Sequence, residues 1–313
     1  MIRIGVVNID VSHPKAFSAY LMKGDRARYV AVFNDGFRED DEVEGFVKSA
    51  NLEKRCASVE ELAAMVDIGF IQGCNWDKHL AYAQPFIDLG KPVFIDKPMV
   101  GSMPDVRKVE ELLAKGAKII GSSSARYCYE IADFLAIPVE TRGEIVHIQG
   151  TSGVDEFNYG VHIVEAIGGL MKNGALSCKF TGRAEVGGKS CESYLITYAN
   201  GVTAEYALFI GTWQPFVITI MTTKTTYTFK VDSGKLYQAM LDRICDKLEG
   251  KEDTLAPIPD ILESIKVMLA GKISRENGGK EVKLTEIPED YRGYDGYEFE
   301  VGYAAAAKKI YLA

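Results

Sequence analysis

Gly90-Lys91-Pro92-Val93-Phe94-Ile95-Asp96-Lys97-Pro98 is the stretch on which the reading of this chain turns. Three strand formers in a row stop abruptly at an acid, a base and a proline. A strand buried on both faces reads as such an unbroken apolar run rather than as an alternation. In open α/β sheets the ligand crevice lies outside the carboxyl ends of the strands. Asp96 and Lys97 are therefore expected side by side at that edge. Pro98 fixes the chain there, and its peptide bond is a candidate for the cis form. A loop salt bridge after a strand would use the same two residues.

Outward from this point, strand and helix patterns alternate. Ile2 to Val7, Tyr29 to Phe33, Ile68 to Ile71, Val93 to Ile95 and Lys118 to Ile120 read as strands. Helices are expected from Pro14 to Lys23, near 39 to 50, after the cap at Ser58, from Asp77 to Leu89 and from Met103 to Lys115. This order predicts a Rossmann-like, doubly wound parallel sheet over residues 1–121. Beyond Gly121 the period shortens to two. Six strands run from Ile145 to Val231, interrupted by one helix from Gly160 to Lys172. Helices over Ser233–Leu248 and Ile258–Leu269 follow. Residues 122–284 thus predict an α+β domain with an open, mostly antiparallel sheet. The Tyr-rich tail, 285–313, has no assigned place.

A chain of 313 residues is too long for one ordinary core and suits two. Apolar content of 47% and charged content of 26% are those of a soluble globular protein. No apolar run approaches the roughly 18 residues of a membrane span, and the chain enters a strand directly after Met1. A cytoplasmic protein without a membrane partner is expected. A net charge of -8 with no Lys/Arg block argues against nucleic acid. Six cysteines without short paired spacing read as reduced thiols, and four histidines with no i, i+4 pair give no metal centre.

The Lys91–Pro98 segment resembles the Glu-Lys-Pro stretch of the Gfo/Idh/MocA family of sugar and polyol oxidoreductases, with Asp96 in place of Glu. His79 followed by Gly90-Lys91, then Gly143-Glu144-Ile145 and Gly160-Val161-His162, fall in the family's order. The resemblance spans about Ile2 to Leu284. It implies NAD or NADP as cofactor, a small-molecule polyol-like substrate, and a homo-oligomer (dimer or tetramer) built through the second sheet. It also implies that Ser274–Leu284 closes back onto the first domain.

A dinucleotide turn needs glycine for a tight turn, for close approach to the pyrophosphate and for helix–strand packing. Here Asn8, Asp10 and His13 stand at those positions. Asn8 tolerates the left-handed conformation. Asp10 brings a negative charge where a helix N-terminus attracts one, while Ser12 and His13 offer donors to a phosphate. The same Asp10 and Ser12 would serve as plain helix caps. At the end of the second strand, Asn34 takes the ribose position. Asp35 would favour NAD, and Asn34 with Arg38 would suit NADP. An Asn-Asp-Gly surface turn explains these residues equally well. By resemblance, Cys74, Asn75 and Trp76 lie beneath the nicotinamide ribose, and Asp96, Lys97 and Pro98 complete the cofactor site. His79 reads as packing or capping.

Oxidising a secondary alcohol requires a base for the hydroxyl proton and a cation for the developing oxyanion. Asn158-Tyr-Gly-Val-His162-Ile-Val-Glu165 resembles the family's Asp-x-Gly-x-His-x-x-Asp helix start. The resemblance makes Lys97, His162 and Asn158 the catalytic set, with Arg126 as a further substrate ligand. Asn158 replaces the usual Asp and cannot raise the His162 pKa as a carboxylate would. Arg126 in a domain-linker salt bridge is the competing expectation. The expected function is an NAD(P)-dependent oxidoreductase. Two rivals remain open at this level: a binding or regulatory protein with a decayed nucleotide site, and a lyase or hydrolase with tightly held NAD.

Overall fold

The computed structural model describes residues 1–121 and 123–311, the last four in backbone only. Its first sheet has six parallel strands: β1 (Ile2–Val7), β2 (Ala27–Phe33), β3 (Lys54–Arg55), β4 (Ile68–Ile71), β5 (Val93–Ile95) and β6 (Ile119–Gly121). They lie in the order β3-β2-β1-β4-β5-β6. The connecting helices are α1 (His13–Leu21), α2 (Asp40–Ser49), α3 (Val59–Met65), α4 (His79–Asp88) and α5 (Met103–Ala114). β4 and β5 are buried at every residue, as unbroken apolar runs require. Ser58 and Ser102 cap α3 and α5 by accepting from the backbone N–H three residues on, at 3.2 and 3.3 Å. At Gly69 a Cβ would sit 2.5 Å from the Phe86 ring, so α4 packs this close to β4 only over glycine. Lys97–Pro98 is cis.

Two helices absent from the sequence expectation, α6 (Tyr129–Ala136) and α7 (Val139–Arg142), lead into the second half. There follow β7 (Ile145–Val154), α8 (Gly160–Met171), β8 (Ala175–Val186), β9 (Lys189–Tyr198), β10 (Thr203–Ile210), β11 (Val217–Thr222) and β12 (Thr226–Lys230). The chain ends with α9 (Leu236–Leu248), α10 (Ile258–Glu276), β13 (Val282–Lys283) and α11 (Gly296–Tyr311). The second sheet runs β12-β11-β7-β10-β9-β8-β13, with β7 and β10 parallel and its other pairs antiparallel. It buries one face under α8 and α10.

The closing segment departs from expectation. Ser274–Leu284 joins the second sheet: Ser274 Oγ accepts from Phe180 N at 2.9 Å, and β13 pairs with β8. α9 is one element that returns to the first domain. Its Ala239, Met240, Ile244 and Cys245 share a core with Phe17, Leu21 and Tyr29. Tyr20 Oη donates to Asp242 at 2.8 Å, and Arg26 pairs with Asp246 and Glu249. Burying an apolar helical stripe stabilises either sheet equally well, so nothing local in the sequence says which sheet wins.

Candidate active site

β1 and β4 are neighbours whose connections run to opposite sides, and the crevice of such a sheet opens at their carboxyl ends. The turn after β1 is tightly built. Asn8 adopts φ 64° and its Oδ1 accepts from Asp35 N at 3.0 Å, while Asn34 Oδ1 accepts from Ile9 N at 3.1 Å. Asn8, Asn34 and Asp35 thus lock the ends of β1 and β2 together. Arg38 donates to the Asp10 carbonyl at 2.8 Å and pairs with Glu42. Tyr82 Oη donates to Asp35 at 2.5 Å.

Asp10 is buried, with its carboxylate turned toward the end of β4. Oδ2 accepts from Cys74 N at 3.1 Å, and Oδ1 has no partner among the described residues. Gly36 lies so close to Oδ1 that a Cβ there would meet it at 2.0 Å. Burial pushes the Asp10 carboxyl above the ordinary carboxylate range, and the Cys74 thiol beside it is raised for the same reason. The charge expected to repel a phosphate therefore sits in a setting that favours the neutral acid. Ser12 is the N-cap of α1 without a side-chain cap bond.

His13 joins a different network. Its Nδ1 lies 2.7 Å from Asp96 Oδ2, and its ring stacks on Phe17 with Tyr237 edge-on at 5.2 Å. Gln72 donates to Asp96 Oδ2 at 3.2 Å and accepts from Tyr29 Oη at 2.7 Å. Burial would raise the Asp96 carboxyl, but His13, Lys97 and the Lys97 N–H outweigh it and hold it below its usual value. His79, fully buried, bridges the carbonyls of Met99 and Gly73 at 3.1 and 2.9 Å, the packing role expected of it.

At the end of β5, Lys97 Nζ donates to Asn158 O and Asn158 Oδ1 at 3.0 and 2.9 Å and lies 5.5 Å over the Tyr159 ring. Burial pulls its ammonium below the usual lysine value, opposed by Asp96 and Asp155. His162, in the first turn of α8, contacts Ser123 Oγ through Nδ1 at 2.6 Å and packs on Tyr159 and Phe216. Burial, with Lys97 and His13 nearby, holds its imidazole well below the usual value, which favours the neutral ring. No hydrogen bond among the described residues engages its Nε2.

Asp155 belongs with this group and was not read from the sequence. Val154, at the end of β7, adopts φ 76°, a conformation rare for a β-branched residue. It turns the chain so that Asp155 caps the following turn, accepting from Tyr159 N at 2.9 Å. Burial raises its carboxyl, and Lys97 opposes that rise. An acid three residues before Asn158 was the only available signal. Ser123 and Tyr237 gave none, since their partners lie 39 and over 200 positions away in the chain.

Arg126 takes the salt-bridge alternative. Its Nε pairs with Glu165, and Nη2 donates to Ser264 Oγ at 3.0 Å and to the Asp260 carbonyl at 3.2 Å. Both members of the pair are buried.

Cys74, Asn75 and Trp76 lie under α11 and the segment before it. Trp76 Nε1 donates to the Tyr294 carbonyl at 2.8 Å, and its ring meets Phe157 and Phe299, each at 5.0 Å. Asn75 Nδ2 donates to Glu300 at 2.9 Å. Asp10, Cys74 and Glu300 present ligand atoms within 4.8 Å of one another.

Residues 2–123 match the model of an oxidoreductase family with an NAD-binding Rossmann fold. No curated protein matches the chain. Among solved structures, a myo-inositol dehydrogenase from Lactobacillus casei, in complex with NAD(H) and myo-inositol, superposes with a TM-score of 0.75. It shares 12% identity and covers 90% of this chain and 96% of its own. The apo scyllo-inositol dehydrogenase of the same organism gives 0.76 at 14% identity, covering 91% and 98%. Its complex with NAD(H) and scyllo-inositol gives 0.71 at 15%, covering 91% and 99%. At these identities the likeness establishes a shared fold.

Proposed function

We propose that this chain, whose residues 2–123 match the model of an oxidoreductase family with an NAD-binding Rossmann fold, is an NAD(P)-dependent dehydrogenase acting on a hydroxyl or carbonyl of a polyol-like small molecule. The observation that carries this reading is the bond of Lys97 to Asn158, which brings the end of β5 and the start of α8 to one crevice. NAD, when bound, supplies the hydride acceptor. The strand–turn–helix scaffold suits it: Asn8 occupies the left-handed turn position, and α1 presents its N-terminus beside Ser12.

The remaining chemistry belongs to side chains. A substrate hydroxyl displaces Asn158 as the partner of Lys97, whose ammonium steadies the developing oxyanion. The hydroxyl O–H breaks and its proton passes to Nε2 of the neutral His162 ring. That requires the proton of the resting ring on Nδ1, donating to Ser123 Oγ. Asp155 is a positioning residue: as a carboxylate beside Lys97, it favours the charged amine that burial disfavours. In this reading Arg126 is structural rather than a substrate ligand. We also infer a homo-oligomer through the second sheet, where Val146 on β7 and Leu176 and Val186 on β8 are exposed.

The test is a titration of NADH and NADPH followed by a nicotinamide-absorbance assay over inositols and related polyols. Turnover of any of them, lost on Lys97→Ala, supports the assignment. Cofactor binding with no turnover by this panel would remove the polyol class.

A further inference from the structure

α11 lies across the crevice that the sheet leaves open at its switch point. From the segment before it, Tyr294 stacks on Phe157 at 4.0 Å and its Oη donates to Glu156 at 2.8 Å. Tyr294 N donates to the Gly101 carbonyl at 2.9 Å, and Gly296 N donates to Asp77 at 2.8 Å. So anchored, the first two turns of α11 enter the crevice. Phe299 meets Trp76 after β4, and Tyr303 stacks on Phe299 and meets Phe37 after β2 at 6.0 Å. Between them Glu300 reaches Lys78 at 3.1 Å and Asn75, and lies beside Asp10 after β1. One helix therefore touches the carboxyl ends of β1, β2 and β4. The Phe299 and Tyr303 rings fill this end of the sheet, with the Glu300 carboxylate between them beside Asp10. Past Tyr303, Ala305 and Ala306 are exposed.

We propose that α11 is a displaceable plug. The C-terminal helix and the nicotinamide dinucleotide compete for the crevice at the ends of β1, β2 and β4, and cofactor binds only as α11 leaves. The proposal rests on the dehydrogenase reading. A competing internal occupant lowers apparent affinity by the fraction of molecules in the open state. Weakening the plug must tighten cofactor binding without any change to the cofactor's own contacts.

The experiment uses the full chain. NADH and NADPH are titrated against wild type, Phe299→Ala/Tyr303→Ala and the milder Glu300→Gln, with binding read by nicotinamide fluorescence and α11 release by amide exchange of 296–307. The expected result is a dissociation constant at least tenfold lower for the double variant, with wild-type α11 losing protection as cofactor is added. Glu300→Cys, which sets a second thiol near Cys74, supplies the converse. Once oxidised to a disulfide it should bind at least tenfold more weakly than after reduction. Equal affinities in wild type and all variants would overturn the plug while leaving the dehydrogenase reading intact. Absence of binding in variants whose α11 exchanges freely would overturn both.

Discussion

Lys97 Nζ donates to two oxygens of one residue, the carbonyl and the side-chain Oδ1 of Asn158, at 3.0 and 2.9 Å. Neither acceptor carries a formal charge, so the ammonium is held without being neutralised. Lys97→Ala should reduce kcat roughly 10²- to 10⁴-fold, the usual worth of a proton-handling or oxyanion-steadying group. Its circular dichroism spectrum should remain native. Near-wild-type kcat on an identified substrate would remove Lys97 from the chemistry.

Asp155 and Lys97 are pushed in opposite directions by the same burial. Removing the anion leaves the amine less reason to stay charged, so its pKa falls further. Asp155→Asn should therefore move the basic limb of the pH–rate profile to lower pH, at little cost in KM. A profile that drops in height without shifting would make Asp155 merely structural.

Asp10 offers a stability measurement with a definite sign. Its folded-state pKa is raised, so the native state holds a proton that the unfolded chain has already released. Stability should then decline as pH climbs from the ordinary carboxylate range through the raised value. Asp10→Asn should abolish that decline and unfold at a higher temperature than wild type near neutrality. Parallel pH profiles for the two proteins would contradict it.

Arg126 and Glu165 form a buried pair, and deleting one partner strands the other's charge. Arg126→Ala should cost about 3–5 kcal/mol of unfolding free energy in denaturant titrations. The fraction that folds should keep wild-type cofactor affinity. A normal denaturation midpoint with a raised KM would restore Arg126 to the substrate site.

The first sheet was legible because each parallel strand is an apolar run closed by a polar cluster, and caps such as Ser58 and Ser102 act within one turn. The resemblance, carried by short local motifs, pointed to Lys97 and His162, which lie at the end of β5 and in the first turn of α8. What escaped detection depends on distant pairing. Asp155 is aimed by an unusual backbone at Val154, and a valine carries no sign of its φ. Tyr237 reaches His13 only because α9 crosses to the other half of the molecule. α11 has aromatic and acidic residues one turn apart, a pattern that says it packs but not against what. Arg126 sat at the sequence position expected for the crevice, yet its guanidinium pairs with Glu165.

The crossing of α9 bears on how this chain can be dissected. Phe17, Leu21 and Tyr29 complete their core with residues more than 200 positions downstream, and Tyr20 and Arg26 clasp Asp242, Asp246 and Glu249 around its rim. A gene fragment stopped at the last parallel strand would expose that patch to water and self-associate. A fragment beginning there would carry an amphipathic helix with nowhere to dock. The two halves are thus one cooperative object, and a nascent chain cannot finish its first layer until most of the second has been synthesised.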